Sequence, residues 1–247
     1  MKIHNFIVRF ARTILALGVL VLAPSLLWAQ AEGPAFVSAR LVEVQSGQNA
    51  QFEAAVADIS AQLEASGTDF FLVFERIRGG LPGYTIFTPD GLFNGTPPPN
   101  LDPNFVARAT GASSGATLMS LAFFPELSIV PPPAERGRQF LHVRAITTSP
   151  SNAQAFLDFQ RDELTPALRE AGIRDRRFSR VLLGGNTNTF VNFSPLDSYP
   201  PQGPNQLVES MGQRDYDRMI TRAQSFISST EEFLYRYRDD LSFNSAQ

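Results

Sequence analysis

Apolar residues along this chain alternate in some segments and recur every three or four residues in others. Alternation predicts a strand, and a spacing of three and four predicts an amphipathic helix. From residue 35 onward the predicted order is strand, helix, strand, strand, helix, strand. The segments are 35–44, the stripe Phe52, Val56, Ile59 and Leu63, then 70–76, 84–87, 104–112 and 117–124.

The same order returns in the second half of the chain. Its segments are 139–148, the stripe Phe156, Phe159, Leu164 and Leu168, in which Pro166 predicts a kink, then 177–183, 189–193, 211–229 and 233–238. Individual residues also recur at shifts of 104 to 106 positions, since Phe36 and Arg40 return as Phe140 and Arg144. Collinear recurrence over about a hundred residues indicates an internal duplication.

The repeated order β-α-β-β-α-β is the ferredoxin-like unit. Helices cover one face of its sheet, and the other face needs a partner. We therefore predict an α+β fold in which two ferredoxin-like repeats, 35–130 and 139–243, pack sheet to sheet. The proline run at 131–133 predicts a stiff linker over 131–138.

In element order and duplication, over about residues 35–243, the chain resembles the dimeric α+β-barrel superfamily, whose members include NIPSNAP-like proteins and antibiotic-biosynthesis-type monooxygenases. The resemblance implies an intrachain α+β barrel and rests on no catalytic motif. The closing run 234–242 (Leu-Tyr-Arg-Tyr-Arg-Asp-Asp-Leu-Ser) also resembles the end of uncharacterised exported bacterial proteins of similar length, which implies no activity.

The N-terminal segment has the features of a secretory signal peptide. Lys2, Arg9 and Arg12 give a basic start, residues 13–28 are almost wholly apolar, and Ala29-Gln30-Ala31 is a small-x-small cleavage site. We therefore predict cleavage of residues 1–31 and a secreted or periplasmic protein. Pro24 interrupts an apolar run already shorter than the ~20 residues of a spanning helix, so we expect no stable membrane anchor after cleavage.

Composition limits the available chemistry. The chain has 247 residues, no cysteine and a formal net charge of −3. Lys2 and Trp28 are its only lysine and tryptophan, and His4 is one of two histidines, so His142 would be the single histidine of the exported chain. Schiff-base, thiol and familiar zinc chemistry are therefore excluded within one mature chain, and we predict no cofactor and no metal. Scattered arginines on an acidic chain argue against a nucleic-acid partner.

Strand alternation also predicts which side chains face the space between the sheets. We assign the aliphatic residues at 37, 39 and 41 to the helix-covered face, which leaves Arg40 in one half and His142 and Arg144 in the other for the interior. Arg76 and Arg180 correspond at a shift of 104. Arginines among apolar walls suit a small ligand with a carboxylate or another anion. The predicted ligand-binding residues are Arg40, Arg144, His142, Arg76 and Arg180.

A second interpretation of the same arginines is structural. Arg40 and Arg144 would then pair with acids such as Glu43 or Glu75, or lie in solvent at the barrel rim, because surface ion pairs are common. His142 as a general base competes with the interpretation of a lone strand histidine as a structural residue.

The sequence favours an exported, non-enzymatic protein that binds a small apolar or anionic ligand between its sheets, or a structural protein. The alternative is a cofactor-independent, monooxygenase-like or isomerase-like enzyme with His142 as its acid or base. A third hypothesis is a partner-binding module that uses the helix predicted at 211–229. The pattern leaves the oligomeric state open.

Overall fold

The computed structural model describes residues 36–95, 100–131, 139–199 and 205–245. Nine strands lie in these ranges and belong to one antiparallel sheet. The strands are β1 (Phe36–Val44), β2 (Phe70–Arg78), β3 (Gly83–Pro89), β4 (Ser113–Phe123), β5 (Phe140–Thr148), β6 (Arg177–Leu183), β7 (Thr189–Leu196), β8 (Ile227–Tyr237) and β9 (Phe243–Asn244).

Helices connect the strands within each half. The helices are α1 (Asn49–Ala65), α2 (Gly91–Asn94), α3 (Pro103–Gly111), α4 (Ala153–Phe159), α5 (Thr165–Glu170), α6 (Gln206–Met211) and α7 (Gln213–Phe226). Short 3₁₀ turns follow β4 (Pro125–Leu127) and β8 (Asp239–Leu241). None of the helices within the described ranges is long and apolar enough to cross a membrane.

Eight of the strands close into a barrel. The order around it is β3-β1-β4-β6-β7-β5-β8-β2, and β2 pairs again with β3. The first half contributes the order β4-β1-β3-β2 and the second half β8-β5-β7-β6, which is the ferredoxin-like arrangement in both. The prediction of two such repeats forming an intrachain α+β barrel is confirmed. The two halves join edge to edge, so that their open faces together enclose the interior.

The closing triplets of the repeat carry the joints between halves. Ser128 Oγ accepts a hydrogen bond from the Phe178 amide at 2.9 Å, and Ser242 Oγ accepts one from the Val73 amide at 2.8 Å. In each case a serine after the last strand of one half holds an edge strand of the other half. The repeated triplets Glu-Leu-Ser and Asp-Leu-Ser therefore make equivalent hydrogen bonds between the two halves. Their leucines, Leu127 and Leu241, are buried.

Two apolar clusters lie between the helices and the outside of the barrel. In the first half, α1 packs Phe52, Val56 and Leu63 against Val73 and Tyr84 of the sheet. The second half is richer in aromatic residues, and each buried phenylalanine contributes about 1.5–3 kcal/mol by leaving water. Its buried aromatic members are Phe156, Phe159, Phe178 and Phe190. The predicted apolar stripes of both helices are confirmed as core.

The helix of the second half changes winding near its proline. A π-helical turn, Gln160–Leu164, separates α4 from α5 and directly precedes Thr165 and Pro166. Proline has no N–H to continue the ordinary hydrogen-bond ladder, and a wider turn accommodates that loss. The irregularity predicted at Pro166 is present as this π turn.

A buried arginine is anchored beneath that turn. Arg176 donates to Gln160 Oε1 at 2.6 Å, to Asn192 Oδ1 at 2.5 Å and to the Leu127 carbonyl at 3.1 Å. Its burial lowers its pKa to about 10. All three acceptors are neutral, and they tie the π turn, β7 and the first 3₁₀ turn to one guanidinium.

The helix predicted at 211–229 is wrong at both ends. The structure has α6 and α7 separated at Gly212, whose φ is +79°, and α7 ends at Phe226. Residues from Ile227 onward already belong to β8, where pairing with β5 outweighs their local helical spacing. The predicted signal peptide at 1–31 and most of the predicted linker at 131–138 lie outside the described residues and stay predictions.

Candidate functional site

A cavity of about 170 Å³ lies inside the barrel. Both halves contribute to its wall, and nearly all of the side chains are apolar. The lining residues on β1, β3 and β4 are Ala39, Leu41, Thr85, Phe87, Met119 and Leu121. The lining residues on β5, β6, β7 and β8 are Val143, Ala145, Val181, Thr189, Val191, Phe193, Glu231, Phe233 and Tyr235.

Two equivalent phenylalanines of the duplication meet in this interior. Phe87 and Phe193 pack edge to face, with ring centroids 5.5 Å apart and an interplanar angle of 87°. Phe87 lies opposite Ala39 in the strand register, and Phe193 lies opposite Val143. The spacing that the two halves share thus places one aromatic ring from each half at the same depth in the barrel, an arrangement favourable for aromatic pairs.

The predicted inner and outer faces of β1 and β5 are reversed. Ala39 and Leu41 line the cavity, while Val42 packs beneath α1 on the outside. Because side chains alternate, Arg40 therefore points outward. In β5, Val143 lines the cavity, so its neighbours His142 and Arg144 are also on the outer face. The assignment of Arg40, His142 and Arg144 to the interior is wrong.

The cause of this error is that both faces of these strands are covered over part of their length. Helices lie on the outside, and the other half of the barrel lies on the inside, so apolar residues occur at both parities. Arg40 and Arg144 are exposed on the outer face.

Arg144 and His142 belong to an outer ion-pair cluster. The Arg144 Nε donates to Glu232 Oε1 at 2.8 Å, and His142 Nε2 lies 3.6 Å from Glu232 Oε2. Burial raises the pKa of Glu232. Arg144 and then His142 lower it by a larger amount, so the pKa of Glu232 ends below its usual value. This geometry supports the structural interpretation, in which Arg144 forms an ion pair. Its acidic partner is Glu232, and not Glu43 or Glu75.

The correspondence between Arg76 and Arg180 is also wrong by one residue. Phe74 pairs with Thr85, and Ser179 pairs with Val191, which makes the shift between β2 and β6 105. Arg180 therefore shares the outward parity of Phe178. Its Nε donates to the Thr187 carbonyl at 2.6 Å. A shift of one residue moves a strand side chain to the other face.

Arg76 is the predicted arginine that does have interior parity. Its guanidinium lies over the rings of Phe233 and Tyr235, at 5.4 and 5.8 Å from their centroids, and both rings line the cavity. Its Nη1 donates to the Leu81 carbonyl at 3.0 Å. Arg76 thus contacts two aromatic rings of the wall through cation–π interactions. Ligand binding by Arg76 and by the other four predicted residues stays a prediction.

The polar groups that do line the cavity escaped the sequence analysis. They belong to Thr85, Thr189 and Tyr235, which carry hydroxyls, and to Glu231, which carries a carboxylate. Glu231, on β8, is a lining residue that is also exposed to solvent. The sequence did contain a signal for Glu231. Phe233 and Tyr235 follow it by two and four residues, so alternation places all three on the same face of β8.

The donor set of the cavity wall is poor in metal ligands. Glu231 is its single carboxylate, and the lining includes neither histidine nor cysteine. Across the four described ranges, no group of three or more His, Asp or Glu residues could hold a metal ion.

Solved structures share this fold at low sequence identity. A candidate monooxygenase from Lactobacillus acidophilus matches with a TM-score of 0.57 and 10% identity, over 85% of this chain and 96% of its own. A candidate monooxygenase from Fusobacterium nucleatum matches with a TM-score of 0.58 and 14% identity, over 85% and 94%. An anthrone oxidase-like protein matches with a TM-score of 0.55 and 11% identity, over 87% and 95%. No protein-family model and no curated protein matches the sequence.

These similarities place the chain in the dimeric α+β-barrel fold. They also correct the expectation of a non-enzymatic binding or structural protein, because the structures that share the barrel over most of its length are named as monooxygenases and as anthrone oxidase-like. The enzymatic alternative is the better supported of the two hypotheses.

Proposed function

We propose that this chain is a monooxygenase-like enzyme that oxidises a small, mainly apolar substrate inside its barrel, with Glu231 as the proton acceptor. The observation that carries the proposal is the apolar cavity shared by both halves, at the centre of a fold whose solved counterparts carry oxygenase names. The isomerase-like version of the alternative has no such support.

The chemistry follows from what the wall offers. A monooxygenase inserts one atom of dioxygen into its substrate and reduces the other to water. A phenol supplies the electrons itself, because one phenol and one dioxygen give one quinone and one water. Loss of a proton makes the phenol a better electron donor, and Glu231 is the one carboxylate among the lining residues. The surrounding apolar side chains limit water around the reacting ring.

In this proposal Glu231 takes the role of acid or base that the sequence analysis gave to His142. Its strand neighbour Val143 lines the cavity, and His142 itself faces the outer cluster with Glu232. A proton acceptor must lie within hydrogen-bond reach of the substrate or connect to it through one water. Glu231 satisfies the requirement of facing the cavity, and His142 does not.

The test fills the cavity and measures oxygen consumption. Ala145→Phe places a ring in the cavity, and Ala116→Phe makes the same change at an exposed, outward position of β4. With one-ring phenols and hydroquinones as substrates under ¹⁸O₂, we expect labelled product from the wild type and from Ala116→Phe. We expect at least a tenfold lower kcat/KM in Ala145→Phe. Equal rates in the two variants, or no oxygen uptake by the wild type, would refute the proposal.

We also propose that the protein is exported. The basic start, the apolar run 13–28 and the Ala29-Gln30-Ala31 site support this inference. N-terminal sequencing of the protein from its host should find a chain that begins at Glu32. A chain that still begins at Met1 would contradict it.

A further inference from the structure

Thr85 places an unpaired hydroxyl group in the cavity wall. The residue is only 5% exposed, and its Oγ1 has no hydrogen-bond partner among the residues that the structure describes. It lies on β3 between Leu41 and Phe74 of the neighbouring strands, with the parity that faces the interior. A buried hydroxyl that lost its water without gaining a partner costs free energy. Such a group is costly to keep unless something else occupies the space beside it.

Two other lining positions, Val191 and Thr189, show why the free hydroxyl of Thr85 is unusual. Val191 stands where Thr85 stands in the other half, opposite Ala145 instead of Leu41. Valine has the same shape as threonine without the hydroxyl, so packing in this wall does not need an oxygen. Thr189 also lines the cavity, but its Oγ1 is 2.9 Å from Thr147 Oγ1 and is therefore partnered. Among the cavity-lining residues, Thr85 is therefore the one with a buried side-chain oxygen that has no hydrogen-bond partner in the described ranges.

We infer that Thr85 orients the substrate, through a hydrogen bond between its Oγ1 and the hydroxyl of a neutral, one-ring phenol. This inference rests on the proposed function for the location of the site. It adds the class of substrate and the residue that selects it. Thr85 is a positioning and specificity residue, and proton removal stays with Glu231.

The size of the cavity sets the size of the ring system. An apolar cavity of about 150 Å³ is known to hold one benzene molecule, and this one has about 170 Å³. A single ring with one small substituent fits that volume. Phe87, Phe193 and Phe233 provide ring edges and faces for it.

The polarity of the wall sets the charge of the ligand. Moving an ion into apolar surroundings without a paired charge costs far more than moving a neutral hydroxyl. Arg76 lies against two of the wall rings but is not a lining residue, and the one charged lining residue, Glu231, would repel an anion. The anionic ligand expected from the arginines is therefore replaced by a neutral phenol.

The test compares phenol with toluene, which has nearly the same shape but no hydroxyl. Both are titrated anaerobically by calorimetry into the wild type, Thr85→Val and Thr189→Val. We expect Thr85→Val to weaken phenol binding about tenfold and to change toluene binding less than twofold, because one hydrogen bond is lost. Thr189→Val, the matched control in the same wall, should change phenol binding less than threefold.

A second measurement separates an orienting role from a structural one. The melting temperature of ligand-free Thr85→Val should equal or exceed that of the wild type, since the variant removes an unsatisfied hydroxyl. Equal weakening of phenol and toluene, unchanged phenol binding, a lower melting temperature, or no binding of either probe to the wild type would each overturn the inference.

The two proposals fail in different ways. If phenol selectivity depends on Thr85 but no phenol is oxidised, the assignment of Thr85 stands and the oxygenase function falls. If oxygen uptake with phenol proceeds equally in the wild type and in Thr85→Val, the function stands and the assignment of Thr85 falls.

Discussion

Glu231 and Glu232 are adjacent in β8 and face opposite sides of the barrel wall. Glu231 lines the cavity, whereas Glu232 forms an outer ion pair with Arg144 at 2.6 Å. The same substitution at the two positions therefore separates an effect on the cavity from an effect on the surface.

Glu231→Gln should lower kcat at least a hundredfold and leave phenol affinity within about threefold, because it removes the proton acceptor but keeps the shape. Glu232→Gln should retain the wild-type kcat, since an exposed ion pair contributes only about 0–1 kcal/mol. Steady-state oxygen uptake measures both. Equal loss of activity in the two variants would exclude Glu231 as the base.

At this scale the sequence identified residue types better than their placement. Alternation correctly grouped Arg40 with position 38 and His142 with Arg144, but it could not say which group faced inward, since both faces of each strand are covered over part of its length. Arg180 was misplaced because a one-residue error in aligning β2 with β6 reverses its face. Thr85 and Glu231 have no unusual sequence context. Their significance appears only when both halves enclose the same space.

Among the elements, the glycine at each β-hairpin is fixed by the opposite half of the barrel. Gly184 has a φ of +77°, and a Cβ there would lie 1.8 Å from the Leu118 carbonyl oxygen. At the equivalent Gly79, with a φ of +85°, a Cβ would lie 2.2 Å from the Glu232 carbonyl oxygen. These glycines therefore permit the turn and also the close approach of a strand from the other repeat.

Gly184→Ala should destabilise the protein by at least about 2 kcal/mol more than Gly172→Ala. Both glycines have positive φ, but a Cβ at Gly172 would meet nothing within 4 Å, so the control isolates the strain of the left-handed backbone from the clash with Leu118. Urea denaturation of the two variants gives the difference. Equal destabilisation would mean that β4 does not approach the hairpin as closely as the structure has it.

Element order was predictable because each element repeats. Two copies of every strand and helix pattern supported one another, and the double glycines marked both hairpins. The boundary at Ile227 was not predictable, because residues 227–229 pair with the end of β5, a contact between segments about eighty residues apart. Local spacing carries no information about such a partner.

For the whole molecule, ionic contacts reinforce the closure of the barrel. Arg238, which follows β8 of the second half, binds Glu53 on α1 of the first half, with its Nη2 at 3.1 Å from Oε2. Tyr84 also donates to Glu53 Oε1 at 2.5 Å. The hydrogen bond from Arg238 is the main cause of a lowered pKa at Glu53, opposed in part by burial. Burial first, and then the same carboxylate, raise the pKa of Tyr84.

Acid should weaken this closure. A carboxyl whose pKa is lowered in the folded state stabilises the fold above its unfolded pKa, about 4.3, and loses that contribution as the pH falls through the folded value. Glu53→Gln should therefore cost about 1–2 kcal/mol at pH 7, and the difference from the wild type should shrink below pH 4. Urea unfolding between pH 3 and 7 measures it. A difference that stays constant with pH would show that the Glu53 charge does not stabilise the closure.

The barrel itself was predictable from physical reasoning about exposed sheet faces. Each repeat has one uncovered face, and the duplication supplies the cover. What the sequence could not supply was the manner of closure, through edge pairing of β4 with β6 and of β2 with β8. That pairing creates the cavity and decides which side chains line it.

The position of a bound halogenated phenol tests the account most directly. In crystals soaked with 4-bromophenol, the anomalous signal of bromine locates the ring without reference to activity. We predict one bromine peak inside the barrel, with the phenol oxygen within hydrogen-bond distance of Thr85 Oγ1. A peak on the outer face beside Arg144 and His142, with none inside the barrel, would contradict the account.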